Sequence, residues 1–533
     1  MPLTTEFFVV HLGLDYRESR APSGTTRLLK SRCMFGRVLV ANRGEIAVRI
    51  IRALREMNIP SIAVFSDADR GALHVRLADE AEHIGPAPSV DSYLRVDRIL
   101  AAAKKHGAEA IHPGYGFLSE NAPFAAACAE AGVVFIGPSA ESIRRLGSKT
   151  AARILAKQAG APVVPGSEEP ATNLDHARKI AREIGYPVLL KAAAGGGGKG
   201  VRRVGAEDEL ESAIRDASSE AERAFHNSEV YIEKMIQKPR HIEIQIAGDH
   251  FGNLVHLGER ECSLQRRYQK IVEECPSPFV ARRPEMRTAM GEAALKVARA
   301  AGYDNVGTVE FLGDQEGNFY FLEVNTRLQV EHPVTELVTG YDLVQLQLRI
   351  AAGQELPFAQ QDVAWRGWAM ECRVSAEDPD NQFLPSPGKI KQLREPGGPG
   401  VRLDSGVYPG WTVPLEYDAL LAKLIAWAPD RDTVIQRLDR ALAEYEIAGV
   451  KNNVTFCREI MNDSEFRAGN LSTEFIPDFF ARRRPASQPP PELERAVALA
   501  ALAHMRNSRA GAASLSKTDA SRWLAEGRGQ LLR

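Results

Sequence analysis

The 533-residue sequence is sparing in the features that would mark a secreted, membrane or metal-stapled protein. Its six cysteines (33, 128, 262, 275, 372 and 457) are widely spaced, and none forms a CxxC pair. That argues against a disulfide framework and against a cysteine-built zinc site, and it suits a reducing compartment. Charge of one sign is missing as well: 67 Lys+Arg against 69 Asp+Glu leave a net charge of -2. A dedicated nucleic-acid binder is thereby disfavoured, although a basic pocket fits inside a neutral total. The longest apolar run, 496–503, falls far short of the ~20 residues that span a bilayer. The N-terminus carries Glu6 and no basic segment, so it does not read as a secretory signal. A soluble, cytoplasmic protein is expected. With 44% hydrophobic and 26% charged residues it has core enough for the three or four domains its length suggests.

Order is expected to begin at Met34, leaving 1–33 as a disordered extension or a mis-assigned coding start. Val38 to Ala41 reads as a buried strand. Ile46, Ile50, Ala53 and Leu54 then recur at helical spacing, and Ser61 to Phe65 is the next strand. This βαβ unit implies a parallel sheet. Further α/β pattern follows: helix 93–105, strand 108–111, helix 121–131 and strand 133–136. Beyond 148 come helix 149–159, strand 187–191, a glycine-rich loop, helix 207–224, strands over 229–275, helix 284–301 and a hairpin over 307–325. A helix at 341–352, a β-rich stretch to about 427 and a helix at 431–445 complete the folded part. Arg482 to Pro485 and Pro489 to Pro491 read as a linker to one Ala-rich helix over 492–533.

The residues that carry chemistry lie in this middle region. Ala194 to Gly200 holds four adjacent glycines and Lys199, and follows the strand ending in Lys191. Backbone N–H groups there can meet a phosphate, as a flap between two strands. It is no P-loop, and Gly147 to Thr150 is wrongly spaced for one, although Lys149 at a helix start can bind phosphate. In the hairpin, an unbulged register around the Asp314–Asn318 turn is expected to set Glu310 directly opposite Glu323, about 5 Å apart. Like charges so placed call for a cation between them, and oxygen ligands at this spacing suit Mg²⁺ or Mn²⁺ on nucleotide phosphates. Asn325 falls on the same face. If the chain stays extended, Arg327, Gln329 and Glu331 continue that wall, forming an array for a small anion beside a metal-bound triphosphate. Taken singly, the cations of Gln265 to Lys270, His241 and Arg373 read as surface or structural residues.

Long ordered motifs decide between these readings. They are Ala41 to Ala47 (ANRGEIA), Ile111 to Asn121 (IHPGYGFLSEN), Gln265 to Arg267, Glu323 to Pro333 (EVNTRLQVEHP) and Phe383 to Gly388 (FLPSPG). Through them the chain resembles biotin carboxylase, the ATP-grasp component of biotin-dependent carboxylases, across about 34–476. The resemblance implies a multidomain α/β and α+β protein. Its parts would be a Rossmann-like pre-ATP-grasp domain (34–147), an ATP-grasp domain (148–366) with a mobile lid at about 166–236, and a β-rich C-terminal domain (367–476). Residues 477–533 would be linker and tail.

It further implies that Lys149, Lys191 and the backbone of Gly197 and Gly198 hold ATP phosphates. Glu233, Lys234, Met235, Ile236, His241, Gln265 and Tyr268 would line the nucleotide site. Glu310, Glu323 and Asn325 would bind two Mg²⁺ or Mn²⁺. Lys270, Arg327, Gln329 and Val330 would position bicarbonate, with Glu331 as general base and Arg373 facing biotin. The implied reaction forms carboxyphosphate and then carboxybiotin, as the first half-reaction of an acyl-CoA carboxylase, such as an acetyl-CoA enzyme of fatty acid synthesis. A two-subunit pyruvate carboxylase and another ATP-grasp carboxylate ligase are the alternatives. Two positions depart from the family pattern: Ala194 replaces a usual glycine, and Tyr268 a frequent histidine. Implied partners are a biotin carboxyl carrier protein in trans and the carboxyltransferase subunit. A second copy of the chain is implied too, and Arg49, Arg52 and Glu56 are suggestive of that contact. Neither nucleic acid nor membrane is expected as a partner.

None of the nine methionines is followed by lysine, so the Met-Lys-Met that carries biotin in relatives is missing. The chain is therefore expected to act on a carrier supplied in trans, with its tail helping to dock that partner. Mass spectrometry of the chain co-expressed with a biotin ligase should show no biotin adduct; a stoichiometric one refutes this expectation.

Overall fold

The structure is a computed structural model and describes residues 34–167, 169–171, 173–192, 201–225, 229–483 and 491–512. The expectations for 1–33, for the glycine flap with Ala194, Gly197 and Gly198, and for 513–533 lie outside the described residues.

The first part is a parallel five-stranded sheet in the order Glu80–Gly85, Ser61–Ser66, Val38–Val40, Ala110–His112, Val134–Phe135. The strand Val38–Val40 is fully buried because helices cover both faces of a parallel sheet, so its sequence is an unbroken apolar run. Chain order reverses at this strand, and such a switch point opens a crevice at the strands' carboxyl ends. Asn42 closes that end: its Nδ2 donates to the carbonyls of Pro113 (2.7 Å) and Tyr115 (2.8 Å). Gly114 has φ +63°, and a Cβ there would meet Asn42 Nδ2 at 2.9 Å, so only glycine serves.

The second sheet has eight strands, every pairing antiparallel. Their order is Phe319–Asn325, Asn305–Gly313, Arg240–Gly248, Leu254–Arg266, Gln269–Cys275, Trp368–Ser375, Leu420–Ala428, Val401–Ser405. It crosses the expected 366/367 domain boundary without a break, since Val272 pairs with Cys372. Ile242, Ile244 and Ile246 face the helix Pro284–Ala301 in one apolar core. The alternate residues His241, Glu243 and Gln245 point the other way, and all are buried. A separate three-stranded sheet, Val201–Val204, Val188–Ala192, Val230–Lys234, carries helices Leu174–Ile184 and Glu207–Phe225 around its own small core. It falls within the expected lid.

The hairpin differs from expectation in one respect. Phe319, Tyr320 and Phe321 pair with Gly313, Leu312 and Phe311, and Leu322 is then an extra residue. Only beyond this bulge does Glu323 face Glu310. The unbulged register is incorrect, because it would have set Leu322 against Glu310. The strand also ends at Asn325 instead of running extended to Glu331, and His332–Thr339 is a helix. Helices Ala140–Gly147 and Leu174–Ile184 and strand Glu80–Gly85 are further elements the periodicity did not reveal.

The helix Pro491–Ala512 belongs to a second unit, 477–533, and its Val497, Leu499, Leu502 and Met505 are exposed. Among the described residues no helix is long and apolar enough to cross a membrane.

Candidate active site

The polar face of the large sheet carries an unusual row. Glu323 pairs with Glu310, Glu310 with Glu243, and Glu243 with Arg260, across four adjacent strands. Three carboxylates side by side are tolerable only with cations among them. Lys270 Nζ supplies most of that compensation, at 2.6 Å from Glu243, 3.0 Å from Glu310 and 2.6 Å from Glu331. Lys149 Nζ reaches Glu323 at 2.7 Å, and His241 Nε2 lies 3.1 Å from Glu310. Arg260, wholly buried, donates to Glu243, to Gln245 Oε1 (2.6 Å), to Thr335 Oγ1 (3.0 Å) and to Thr308 Oγ1 (3.0 Å).

The segment 326–331 bends away from the strand, yet it presents the expected groups to the same wall. Arg327 donates to Gln329 Oε1 (2.9 Å) and Asn325 Oδ1 (3.2 Å), and Gln329 Nε2 donates to Glu310 Oε1 (3.0 Å). Glu331 lies between Lys270 and Arg373, whose Nη2 is 2.9 Å from its Oε2. Glu120, from the first sheet's loops, accepts from Thr326 N (2.9 Å) and from Arg327 Nε (2.8 Å). Arg373 Nε also donates to Glu273 (2.6 Å).

Lys270, Glu310, Glu323, Asn325, Arg327, Gln329 and Arg373 line a cleft of about 2080 Å³, well above the roughly 300–1,000 Å³ of a site for one small ligand. Glu243, Arg260, Glu273 and Glu331 are buried and do not line it. Lys149, Lys191, Glu233, His241, Gln265, Tyr268, Val330 and Arg373 all line it, as do Asn42, Arg43 and Tyr115 of the first sheet. Lys191 and Glu233 form an ion pair within the small sheet. Lys234, Met235 and Ile236 are not among the lining residues, and Lys234 Nζ donates instead to the carbonyls of Gly185 and Tyr186. Of the three residues suggestive of a dimer, Arg49 is buried against Glu336 (3.0 Å) and Asp342 (2.7 Å), while Arg52 and Glu56 are exposed. Glu120, Glu243, Arg260 and Glu273 were not singled out from sequence. A period-2 strand such as 240–248, with one face of polar residues, could have drawn attention to Glu243, but nothing local shows that this polar face is buried.

Burial alone would favour neutral acids here. Against it, Lys270, Arg373 and Arg260 hold the Glu331 carboxyl well below the usual carboxylate range, and Lys270 with His241 does the same for Glu310. Burial disfavours charge on Lys270 too, yet Glu243, Glu310 and Glu331 keep its ammonium well above the lysine range. Glu273 is pushed up to about 7 by burial, with Arg373 opposing. His241, Glu243 and Glu310 lie near enough to share an ion, as do Glu243, Cys262 and Glu331. Lys270 already contacts both carboxylates of each trio. Glu310, Glu323 and Asn325 bring oxygen atoms, the donors a hard divalent cation takes, to the lining of the cleft. Asn325 Nδ2 is buried there without a hydrogen-bond partner.

A large antiparallel sheet and a small lid-like sheet facing one cleft, lined by carboxylates and lysines, define an ATP-grasp enzyme. Family models match in succession: "Biotin carboxylase, N-terminal domain" over 34–143, "Carbamoyl-phosphate synthase L chain, ATP binding domain" over 148–359, and "Biotin carboxylase C-terminal domain" over 371–478. Biotin carboxylase 1 of Bacillus subtilis is 52% identical over 83% of this chain and 98% of its own length. A pyruvate carboxylase subunit of Methanothermobacter thermautotrophicus is 53% identical over 84% and 90%. The biotin carboxylase domain dimer of Hydrogenobacter thermophilus 2-oxoglutarate carboxylase, solved with MgADP, ADP and bicarbonate, is similar in structure. It superposes with a TM-score of 0.79 at 47% identity, covering 85% of this chain and all of that one. The Campylobacter jejuni biotin carboxylase–β,γ-ATP complex gives 0.78 at 46%, covering 83% and 99%. The chain belongs to the biotin carboxylase family, multidomain ATP-grasp ligases that carboxylate biotin.

Removing Lys270 should expose the strain in the carboxylate row. Lys270→Met is expected to destabilise the fold by about 3–5 kcal/mol, the usual cost of stranding a buried charge. The sign with pH follows from linkage. In the native chain Glu310 and Glu331 titrate below the carboxylate range, so their contribution is constant from pH 5 to 8. Without Lys270 their affinity for protons rises, and stability is lost as pH climbs through the new values. Denaturation at pH 5 and pH 8 should show the deficit growing with pH; a pH-independent deficit contradicts the assignment.

Proposed function

We propose that this chain carboxylates biotin carried on a separate protein, using ATP and bicarbonate, as the first half-reaction of an acyl-CoA carboxylase. The observation that carries the reading is Glu331, a buried carboxylate held by Lys270 on one side and Arg373 on the other, beside Arg327 and Gln329. The identity to the Methanothermobacter pyruvate carboxylase subunit keeps a two-subunit pyruvate carboxylase as the second reading, since the carboxyltransferase partner chooses the acceptor. A homodimer, as in the Hydrogenobacter domain, and a cytoplasmic location complete the proposal.

In this reading ATP phosphates lie against Lys149 and Lys191, and His241, Glu233, Gln265 and Tyr268 border the nucleotide. Glu310, Glu323 and Asn325 would hold the divalent ions, which when bound offset charge on the phosphate oxygens. Bicarbonate sits against Arg327, Gln329, Val330 and Lys270. Its arrival matters for Glu331: a second anion shares Lys270 and Arg373, weakens their hold on the carboxylate and raises its proton affinity. Glu331 then takes the bicarbonate proton, and the freed oxygen attacks the γ-phosphorus, giving carboxyphosphate and ADP. Carboxyphosphate splits into CO₂ and phosphate, and the phosphate takes the proton of the biotin ureido nitrogen. Arg373 stabilises the negative ureido oxygen while that nitrogen attacks CO₂. A closed lid excludes water from the labile species.

Glu310→Gln and Glu323→Gln should each sharply reduce Mg²⁺-dependent ATP turnover, measured as ADP release. Unchanged rate and unchanged Mg²⁺ dependence in both would remove the metal assignment.

Arg373→Ala should cut biotin carboxylation by on the order of 10²–10³. Bicarbonate-dependent ATP cleavage should fall by a smaller factor, through the lost contact with Glu331. Equal losses in the two assays would contradict the division of labour, and ADP release that ignores both bicarbonate and biotin in the native chain would overturn the function itself.

A further inference from the structure

Lys423 is the one fully buried lysine among the described residues, and nothing in the reaction above uses it. It lies in the strand Leu420–Ala428, in direct register with Arg373 on one side and Asp404 on the other. Register partners share a face of the sheet, so two cations stand next to each other. Each has its own carboxylates: Arg373 has Glu273 and Glu331, whereas Lys423 has Glu45 at 3.2 Å and Asp404 at 3.6 Å, with Glu371 close by. Those three acids come from two different parts of the chain. Glu45 belongs to the first helix of the parallel sheet; Asp404 and Glu371 belong to the far strands of the large sheet.

The remaining contact is the informative one. Lys423 Nζ donates to the carbonyl oxygen of Val330 at 3.1 Å. Val330 lies between Gln329 and Glu331 in a stretch with no strand or helix to fix it. The neighbouring Gln329 carbonyl is similarly held, by His332 Nδ1 at 2.8 Å. A cation on a backbone carbonyl fixes the peptide plane strongly, because a charge-assisted hydrogen bond is about twice as strong as a neutral one. We infer that Lys423 is a positioning residue for the bicarbonate site: by holding the Val330 carbonyl, it orients the Val330–Glu331 peptide and so aims the Glu331 carboxylate. It acts through Glu331 and touches no substrate. The Glu45 and Asp404 ion pairs orient the ammonium from two sides, so the first helix and the last strands jointly set the base.

The inference rests on the proposal that this cleft takes bicarbonate, and the experiment separates the two. In the full chain, bicarbonate-dependent ADP release is measured for the native protein, Lys423→Met and Lys423→Arg, with thermal unfolding alongside. The expected result for Lys423→Met is a bicarbonate KM raised at least tenfold, with the ATP KM within twofold. Lys423→Arg keeps the charge but changes the direction of the donors, and should raise the bicarbonate KM about threefold. A purely structural role predicts a lower melting temperature and fewer active molecules, with both KM values unchanged in those that fold. That outcome overturns the inference. If Lys423→Met does not fold, the arginine variant decides by the same criterion. Absence of bicarbonate stimulation in the native protein would instead refute the proposed function.

Discussion

The site depends on one electrostatic constraint: Glu323, Glu310 and Glu243 stand opposite one another on neighbouring strands, the last two buried and Glu323 partly exposed. Such a row is stable only while cations stay within contact, and the chain spends Lys149, Lys270, His241 and Arg260 on that duty. Function follows from the same constraint. Neutralising residues cannot be moved far from the row, so any anion that approaches must share them. In the proposed function, phosphate and bicarbonate would relieve the cation-rich edge of the cleft and a divalent ion the acid-rich one.

The second theme is how an irregular segment is made rigid. Residues 326–331 lack the backbone pairing that fixes a strand. Glu120 holds the start of the segment from the parallel sheet's loops, and Lys423 holds Val330 from the far side of the large sheet. His332, in the helix that follows, takes the carbonyl between them. Three regions of the fold therefore converge on six residues, and the reacting groups gain precision from tertiary contacts in place of secondary structure.

Much of this was legible in the sequence. The βαβ start and the existence of the hairpin follow from period-2 and period-3.6 patterns, which depend only on neighbours along the chain. Glu310 does face Glu323 as expected, although through a bulge that the pattern does not contain. The motif-bearing residues Lys270, Arg327, Gln329 and Arg373 do line one cleft, and Glu331, itself buried, is in contact with Lys270 and Arg373. What escaped was set by distant contacts. The Leu322 bulge is invisible to a pattern of alternation, since an inserted residue looks like any other apolar position. Glu243 and Arg260 were not singled out, because exposure and burial of a polar face give the same alternation. Arg49 read as suggestive of a dimer contact, although it is buried and pairs with Glu336 and Asp342, nearly 300 residues later.

The unbroken eight-stranded sheet also bears on how such a chain can be recombined in evolution. Three of its strands come from beyond residue 366, and one of them, Trp368–Ser375, is hydrogen-bonded to the strand that carries Lys270. Excising them would leave Gln269–Cys275 as a raw edge and remove Arg373 with it. The last part of the chain is thus not an exchangeable cassette. The small sheet is the opposite case: it has its own core, and two isolated bridges, Val163 to Phe321 and Gly166 to Glu233, lie along the connection that leads into it. Insertions, length changes and grafts are better tolerated there, so inheritance should vary the cover over the nucleotide while transmitting the rest of the body as one block.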